Sequence, residues 1–331
     1  MQKINKHIQI IRTTVPGLSS LSSASAEAIQ AALAKHYRMV QITIVNDIKD
    51  LEQLVSCKPD LVFTGIKYLL GRLGRKIWIA DYLEEHNLLH TGSPKRAIQF
   101  EQSKQLAKRC VQAAGLKTAG FKVVREGQLP VDFVLEFPVF VKPTSLGGGQ
   151  GINPDSVVHS HRQLKRKLAE LNCDALVESY LAGREFSVAI LRNEGSHVLV
   201  AMPIELVAPL NHNGDRILGQ AVKTADSEVV SRVEDNFTRL LLCDFATRAF
   251  KALGGQDYGR IDIRMDSQGE PHFLEANLIP SLIEDYGSFP RACQLNQGIG
   301  YQQMILRIVS LGLNGTDRIP LNFALSSSLE V

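Results

Sequence analysis

Apolar positions in the first ninety or so residues alternate between the spacing of strands and that of helices. Helical spacing covers Ser25–Lys35 and Asp50–Val55. The short apolar runs that predict strands are Ile8–Ile11, Met39–Val45 and Leu61–Thr64. This alternation predicts a small parallel sheet covered by helices. The turn-forming segment Thr91–Pro94 then marks an expected domain boundary.

The rest of the chain predicts a mixed order of elements. Helices are predicted at Gln99–Ala114, Arg162–Leu171, Glu234–Leu253 and Ile299–Leu313. Strands are predicted at Phe121–Val124, Pro138–Val141, Ala175–Glu178, Phe186–Leu191, Val198–Met202, Tyr258–Met265 and Pro271–Ala276. An irregular loop is expected from the last strand to Pro290. The pattern predicts an α/β fold, in part α+β.

Composition narrows the class of protein. The 331 residues allow two or three domains, and 44% hydrophobic with 21% charged residues is typical of globular chains. A net charge of +3 without like-charge runs disfavours nucleic acid or an anionic membrane as partner. Apolar runs are too short for a membrane helix or a signal peptide. Five scattered cysteines without a CxxC pair favour neither disulfides nor zinc, so the cytoplasm is the expected location.

Charged and amide side chains cluster on the last two predicted strands. Strand side chains alternate faces, so Arg260 and Asp262 share one face, and Glu275 and Asn277 share one on the next strand. If the strands pair as a hairpin, three oxygen ligands and an arginine converge, and such oxygens suit Mg²⁺ beside nucleotide phosphates. A solvated hairpin is the alternative.

Two further segments carry nucleotide-binding chemistry. The run 147–151, Gly-Gly-Gly-Gln-Gly, follows a strand that ends in Lys142, and glycines allow backbone amides to approach phosphate. A flexible loop is the alternative there, since neither a P-loop nor a dinucleotide fingerprint is present. The segment from Val177 to Glu185 is a short link of apolar and acidic residues, which fits either an adenine and ribose site or an ordinary hinge between domains.

Taken together and in order, these elements resemble the ATP-grasp superfamily, and specifically the D-alanine–D-alanine ligase family, from about Thr91 to Leu313. The motifs that carry the resemblance are Thr91-Gly92-Ser93, Lys104 with Lys108, Val141-Lys142-Pro143, the glycine-rich run, Glu178-x-x-Leu181-x-Gly183-x-Glu185, Gly259-Arg260-Ile261-Asp262 and Leu274-Glu275-Ala276-Asn277-x-x-Pro280. The resemblance implies three α/β domains, at 1–93, 94–181 and 182–331, with ATP between the second and third. It also implies a homodimer, for which the sequence itself shows no interface.

The resemblance implies a role for each matching residue. Those implied to bind ATP are Lys104, Lys142, Gly147, Gly148, Gly149, Gly151, Glu178, Tyr180, Leu181 and Glu185. Asp262, Glu275 and Asn277 would ligate two Mg²⁺ ions, with Mn²⁺ as an alternative. Arg260 would stabilise the oxyanion of a tetrahedral intermediate, and Lys223 would contact phosphate. The implied reaction converts a carboxylate to an acyl phosphate, which an amine then attacks.

The sequence departs from the family where substrates would bind. The family's N-terminal signature has a glutamate that anchors the first amino acid's ammonium, whereas residues 16–23 here contain no acid. Thr224 replaces a tyrosine, and glycines replace serines in the phosphate loop. Residues expected to face the substrates are Ser20, Ser281, Glu284, Asp285 and Ser288. Glu284 and Asp285 are candidates for the lost negative charge, with a solvated acidic turn as the alternative.

Intact ATP and metal motifs beside altered substrate motifs predict a ligase that joins other amino acids or small acids. A genuine D-alanine–D-alanine ligase, a phosphotransferase that stops at the acyl phosphate, and a nucleotide-gated binding protein without turnover remain alternatives. The complete set of metal ligands disfavours the last of these.

Overall fold

Three main β-sheets succeed one another along the chain. They are described in a computed structural model that covers residues 2–128, 134–144, 148–211 and 213–315. Helices and strands alternate in it, as the sequence predicts for an α/β fold. In these ranges, no helix combines the length and the apolar character that crossing a membrane requires.

The N-terminal sheet is parallel, with strand order β2-β1-β3. Its strands are β1 (Ile4–Arg12), β2 (Tyr37–Ile44) and β3 (Leu61–Thr64), and its helices are α1 (Ser23–Ala34) and α2 (Ile48–Ser56). These elements confirm the predicted alternation. Ser22 caps α1, and Asp47 caps α2 by accepting hydrogen bonds from two backbone N–H groups, so a polar residue precedes each helix.

A small hairpin and a helix, which the sequence did not predict, follow the third strand. The hairpin pairs β4 (Tyr68–Leu70) with β5 (Lys76–Trp78), and α3 (Ile79–Glu85) comes directly after it. A 3₁₀ turn at Arg72–Gly74 connects the two strands. Strands of three residues are too short to show a periodic pattern, which explains why they were missed.

The helix predicted at Gln99–Ala114 is wrong as a single helix, because the structure has two. They are α4 (Lys95–Gln102) and α5 (Lys104–Ala113). Ser103 between them is extended, and its Oγ accepts a hydrogen bond from the backbone N of Leu106 at 3.3 Å. Serine competes with helical hydrogen bonds in this way, so it ends one helix and caps the next. Lys104 therefore stands in the first turn of α5.

The central sheet is antiparallel, with strand order β6-β9-β7-β8. Its elements are β6 (Phe121–Val124), β7 (Val139–Pro143), β8 (Val157–Val158), α6 (His161–Leu171) and β9 (Ala175–Ser179), with a 3₁₀ turn at Pro154–Ser156. Small and branched side chains form its own core, among them Val139, Val141 and Val177.

The C-terminal sheet is also antiparallel, with strand order β12-β11-β10-β13-β14. Its strands are β10 (Glu185–Arg192), β11 (Leu199–Val207), β12 (Val229–Arg232), β13 (Tyr258–Met265) and β14 (Pro271–Asn277). Its helices are α7 (Gln220–Thr224), α8 (Asn236–Ala252), α9 (Ser288–Gln297) and α10 (Tyr301–Leu313). The irregular loop predicted up to Pro290 is wrong at its end, because α9 begins at Ser288. Proline fits there, in the first turn of a helix, where its missing N–H costs no hydrogen bond.

One large hydrophobic cluster joins the N-terminal and C-terminal sheets. Ile10 and Phe63 of the first sheet pack with Leu191 and Met202 of the third and with Met304 of α10. The central sheet has a separate core. The domain limits at residues 93 and 181 stay predictions.

Candidate active site

A cavity of about 820 Å³, part of which opens to solvent, lies between the central and C-terminal sheets. It falls in the size range of small-molecule sites. Eleven of the residues singled out in the sequence line it: Lys104, Lys142, Gly148, Gly149, Glu178, Tyr180, Leu181, Glu185, Lys223, Asp262 and Glu275. Gly147 lies outside the described residues. The sequence therefore identified most of the wall of one cavity.

Glu178, on the last strand of the central sheet, pairs with two buried lysines. Its carboxylate lies 2.6 Å from Lys142 Nζ and 2.9 Å from Lys108 Nζ. Lys108 also donates to Thr118 Oγ1 at 2.7 Å. Burial alone would raise the pKa of Glu178, but the two ammonium groups outweigh burial and lower it to about 2. Glu178 is thus a fixed anion that holds two cations at the cavity.

Lys104 and Glu275 both line the cavity and form an ion pair. Lys104 Nζ lies 3.8 Å from Glu275 Oε2. Burial lowers the pKa of Lys104, although the carboxylate of Glu275 opposes that change. Burial would raise the pKa of Glu275, but Lys104, Lys142 and other cations lower it to about 2. An ionised carboxylate therefore stands among lysines that can neutralise phosphate.

The predicted hairpin of β13 and β14 is confirmed, with Asp262 opposite Glu275 and Arg260 opposite Asn277. Arg260 donates two hydrogen bonds to the Asp262 carboxylate, from Nε at 2.9 Å and from Nη2 at 2.8 Å. Asn277 Nδ2 donates to the same carboxylate at 3.2 Å, and Ser187 Oγ donates at 2.8 Å. Arg260 and Asn277 thus both contact the Asp262 carboxylate, and Glu275 is paired with Asp262 on the neighbouring strand.

An irregularity in this hairpin enlarges the polar face. The register shifts after Asp262, so that Ile263 pairs with Phe273 and Leu274 is an extra residue on β14. Phe273 is fully buried in the core, while Leu274 and Glu275 both line the cavity. A bulge of this kind re-aims side chains beside a site. It gives the cavity an apolar side chain next to its carboxylate.

The opposite end of the cavity is built from Glu185, Arg264 and Tyr180. Arg264 Nη1 donates to Glu185 Oε2 at 2.8 Å, and its guanidinium lies 5.4 Å from the centre of the Tyr180 ring. Burial raises the pKa of Glu185, although Arg264 and Lys223 oppose it. Arg264 thus orients both the carboxylate and the aromatic ring.

The glycine-rich loop packs closely on the chain before α7. A Cβ on Gly149, whose φ is +81°, would lie 3.0 Å from the backbone N of Gln220. A Cβ on Gly219 would lie 2.6 Å from the carbonyl oxygen of Ile152. Glycine is required because any side chain would separate the two segments. Gly151 faces Pro143 instead, where a Cβ would come within 2.5 Å of the proline ring.

The donors at the hairpin fit a hard divalent cation. Asp262 and Glu275 supply carboxylate oxygens and Asn277 an amide oxygen, which are the atoms Mg²⁺ prefers. Within the described ranges, no three or more His, Cys, Asp or Glu side chains are grouped to hold a metal ion. Asp262, Glu275 and Asn277 are three residues, so they would supply only part of the octahedral ligand shell of Mg²⁺ and leave positions for phosphate oxygens.

The residues predicted to face the substrates do not line this cavity. Glu284 and Asp285 are exposed and border another cavity, beside Arg291 and Tyr301. Ser20 Oγ donates to the carbonyl oxygen of Gly65 at 3.2 Å, in the N-terminal part of the chain. Ser281 and Ser288 are half-buried in the loop and at the start of α9. Tyr286, between them, donates from its hydroxyl to the carbonyl oxygen of Lys223.

Sequence analysis gave no role to three residues that the structure places in the site. Arg264 has the same strand spacing as Arg260 and Asp262, so the period-two pattern contained its signal. Lys108 lies one helical turn after Lys104, and the spacing of four could have placed both on one face. Ser187 contacts Asp262 through strand pairing, which no local pattern shows.

Comparisons with known proteins show which family this chain resembles. The family model described as the D-ala D-ala ligase C-terminus matches residues 110–310. A D-alanine--D-alanine ligase of Geobacter sulfurreducens is 30% identical over 88% of this chain and 90% of its own length. An uncharacterized protein, y4sG, of Sinorhizobium fredii is 32% identical over 60% of both chains.

Solved structures show the same fold. The D-alanine--D-alanine ligase of Bacillus anthracis complexed with ATP matches with a TM-score of 0.71 and 19% identity, over 94% of this chain and 98% of that one. The ligase of Coxiella burnetii matches with a TM-score of 0.65 and 17% identity, over 94% of each chain. The ATP-grasp fold predicted from the sequence is confirmed.

Proposed function

We propose that this chain, which belongs to the D-alanine–D-alanine ligase family, uses ATP to join a carboxylate to an amine through an acyl phosphate, and that its substrates are not two molecules of D-alanine. Members of this family are ADP-forming ATP-grasp ligases that use ATP and a divalent metal ion.

The convergence of Lys104, Lys142 and Glu275 with the Arg260–Asp262 pair carries the proposal. Lysine ammonium groups and carboxylate oxygens lie beside one another around a cavity of about 820 Å³, and Asp262 lines the same cavity. Phosphoryl transfer depends mainly on positioning and charge neutralisation, and these residues supply both. A structural role alone would not explain several buried charges around open space.

We assign ATP binding to both sides of the cavity. Lys104 and Lys142 would contact phosphate oxygens, and Glu178 keeps Lys142 in place through its 2.6 Å ion pair. The glycines at 148, 149 and 151 would bring backbone N–H groups to the phosphates. Tyr180 and Leu181 would border the adenine, and Glu185 would accept hydrogen bonds from ribose hydroxyls.

Asp262, Glu275 and Asn277 would hold two Mg²⁺ ions. When bound, the metal neutralises negative charge on the phosphates. Arg260 belongs to the same face and carries a planar guanidinium that two hydrogen bonds orient. It would stabilise the oxyanion that forms when an amine attacks the acyl phosphate. Lys223, on the cavity wall, would contact the transferred phosphate.

The proposal of different substrates depends on the N-terminal loop. Residues 13–26 contain neither Asp nor Glu, and Glu27 is an exposed residue of α1 that accepts a hydrogen bond from Ser23. The ammonium of an amino acid has no carboxylate partner in this segment. The names of the relatives favour the alternative, genuine D-alanine–D-alanine ligation, which the same assay can detect.

The test measures hydroxamate and phosphate formed from ATP, Mg²⁺ and hydroxylamine with a panel of D- and L-amino acids, hydroxy acids and other small acids. Hydroxylamine traps an acyl phosphate as a hydroxamate, whichever amine is natural. We expect at least one acid to give hydroxamate, and Glu275→Gln to give none. Efficient dipeptide synthesis from D-alanine alone would overturn the substrate proposal, and ATP binding without any hydroxamate would overturn the ligase proposal.

A further inference from the structure

Lys67 lies at the carboxyl end of the parallel N-terminal sheet, three residues after β3. Ligands of open parallel sheets bind outside the carboxyl ends of their strands. The backbone here is fixed on both sides: Ser20 N donates to the carbonyl oxygen of Gly65 at 2.8 Å, and Ile79 N donates to that of Lys67 at 3.1 Å. The acid-free loop and Lys67 are therefore held next to each other.

An ion pair connects this lysine to the metal-binding hairpin. Lys67 Nζ lies 2.5 Å from Glu101 Oε1, near the end of α4. Glu101 Oε2 accepts a hydrogen bond from the backbone N of Leu278 at 2.9 Å. Leu278 directly follows Asn277, whose strand partner is Arg260. Glu101 thus connects Lys67 to the end of β14, where the proposed acyl transfer takes place.

The two members of this pair differ in exposure. The side chain of Glu101 is 4% exposed and that of Lys67 is 24% exposed. Both oxygens of Glu101 are occupied, one by Lys67 and one by Leu278 N. Of the two charged side chains, that of Lys67 is therefore the more accessible to a bound molecule.

Beyond its partner Glu101, Lys67 has another lysine nearby. Lys67 is close enough to Lys104 to contribute, after burial and Lys142, to the lowered pKa of that lysine. The loop beside it has no acid from Thr13 to Ala26, and Leu21 of this loop would lie 2.6 Å from a Cβ on Gly65. The ammonium group of a substrate would be repelled by Lys67, whereas a substrate oxygen could accept a hydrogen bond from it.

We propose that Lys67, oriented by Glu101, binds a second acidic or polar oxygen of the acid that becomes phosphorylated. This group is best a carboxylate. It occupies the position where an α-amino acid would carry its ammonium. This inference rests on the proposed ligase function and names the class of its donor substrate: an acid without a free amine near the activated carboxylate. Lys67 is a specificity-determining residue in this proposal, and it takes no part in phosphoryl transfer.

Two matched series of acids test the inference by binding. Succinate, butyrate and β-alanine carry a carboxylate, a methyl and an ammonium group on one spacer, and malonate, propionate and glycine do so on a shorter one. Calorimetry is done on the full chain with Mg²⁺ and a non-hydrolysable ATP analogue. We expect a dicarboxylate to bind at least 10-fold more tightly than its ammonium counterpart, and Lys67→Gln to remove most of that preference.

Lys95→Gln is the matched control, because Lys95 forms an equally short 2.5 Å ion pair with Asp81 in the same region. It should keep the preference. Equal or tighter binding of the ammonium acids, an unchanged preference in Lys67→Gln, or no binding of any of these acids would overturn the inference.

Hydroxamate formation separates this inference from the ligase proposal. Lys67-dependent binding without hydroxamate from any acid would remove the ligase function and leave the binding site. Hydroxamate formed with a preference that Lys67→Gln does not change would leave the ligase function and remove the role of Lys67.

Discussion

Arg260 and Asp262 are two residues apart on one strand, so a planar guanidinium and a carboxylate meet without any contribution from a loop. The pair of hydrogen bonds between them depends on the fork of the arginine. A lysine keeps the charge but cannot form both bonds. At position 260, the planar shape of the guanidinium therefore matters as well as its positive charge.

Arg260→Lys should therefore lower kcat by about 100-fold, the usual scale for loss of an oriented oxyanion donor, with little change in ATP affinity. Steady-state phosphate release and nucleotide titration measure the two effects. Arg248→Lys is the control, since Arg248 on α8 forms only an exposed pair with Asp244 at 3.4 Å. A fall in ATP affinity that explains the whole loss would contradict the proposed role.

Glu178→Gln should destabilise the protein by about 3–5 kcal/mol, because it leaves Lys108 and Lys142 buried without their anion. Glu170→Gln, at an exposed pair with Arg166 at 3.6 Å, should have little effect. Urea denaturation followed by circular dichroism compares the variants. Equal midpoints for the two variants would show that Glu178 is not needed to hold the lysines.

The same ion pair predicts a direction of pH dependence. The folded pKa of Glu178 is about 2 and its ordinary value is 4.5, so the unfolded chain takes up the proton first as the pH falls. This contribution to stability is present above pH 4.5 and is lost from there toward pH 2. The urea midpoint of wild type should fall more steeply over this range than that of Glu178→Gln. Parallel curves would contradict the assigned pKa.

Some residues of the site could be predicted from the alternation of side chains along a strand or from the run of glycines. Asp262, Glu275 and Asn277 follow from alternation on two strands. The spacing of Lys104 and Lys108 indicates a shared helix face, but nothing local to α5 shows that Glu178, seventy residues later, lies opposite Lys108. Pairing across distant elements depends on the tertiary fold, which a periodic pattern does not contain.

At the scale of elements, regular apolar patterns predicted most strands and long helices within a few residues. The errors lie where one polar or cyclic residue decides the outcome. Ser103 divides a helix that looks continuous, and Pro290 stands inside the first turn of a helix that looks like a loop. Both residues act through backbone hydrogen bonds, and the spacing of hydrophobic residues contains no information about these bonds.

The contact between the glycine-rich loop and the start of α7 predicts a clean test of the proposed phosphate loop. Gly219→Ala adds a Cβ that would lie 2.6 Å from the carbonyl oxygen of Ile152, so the loop cannot keep its position over the cavity. We expect the KM for ATP to rise roughly 10-fold, by loss of uniform binding to ATP.

Gly300→Ala is the matched control, because Gly300 also precedes a helix and a Cβ there meets nothing within 4 Å. It should leave the KM for ATP unchanged. The same KM for ATP in both variants would show that the contact between the loop and α7 does not affect nucleotide binding.

On the scale of the whole molecule, the hydrophobic clusters divide the protein differently from the three sheets. The N-terminal and C-terminal sheets share one core, whereas the central sheet has its own small one. Local opening follows the number of buried apolar contacts. The central sheet should therefore open more easily than either of its neighbours.

Native-state hydrogen exchange should show this difference. Amides of β7 and β9 should exchange through openings of lower free energy than those of β1 and β10. ATP with Mg²⁺ should slow exchange in β7 and β9, since Lys142 and Glu178 lie on them and the nucleotide would contact both sheets. Uniform protection of all four strands, with no response to ATP, would contradict the division.

The shared core also sets the conditions for recombining this chain with its relatives. Ile10 and Phe63 belong to the same hydrophobic cluster as Leu191, Met202 and Met304, which come from distant parts of the sequence. A chimera cut after residue 93 would place two foreign apolar surfaces together, and mismatched packing there costs stability. Transplanting the N-terminal part to change donor selectivity would thus require its partners on β10, β11 and α10 to move with it. The central sheet, whose core is its own, is the part that evolution or engineering could exchange separately.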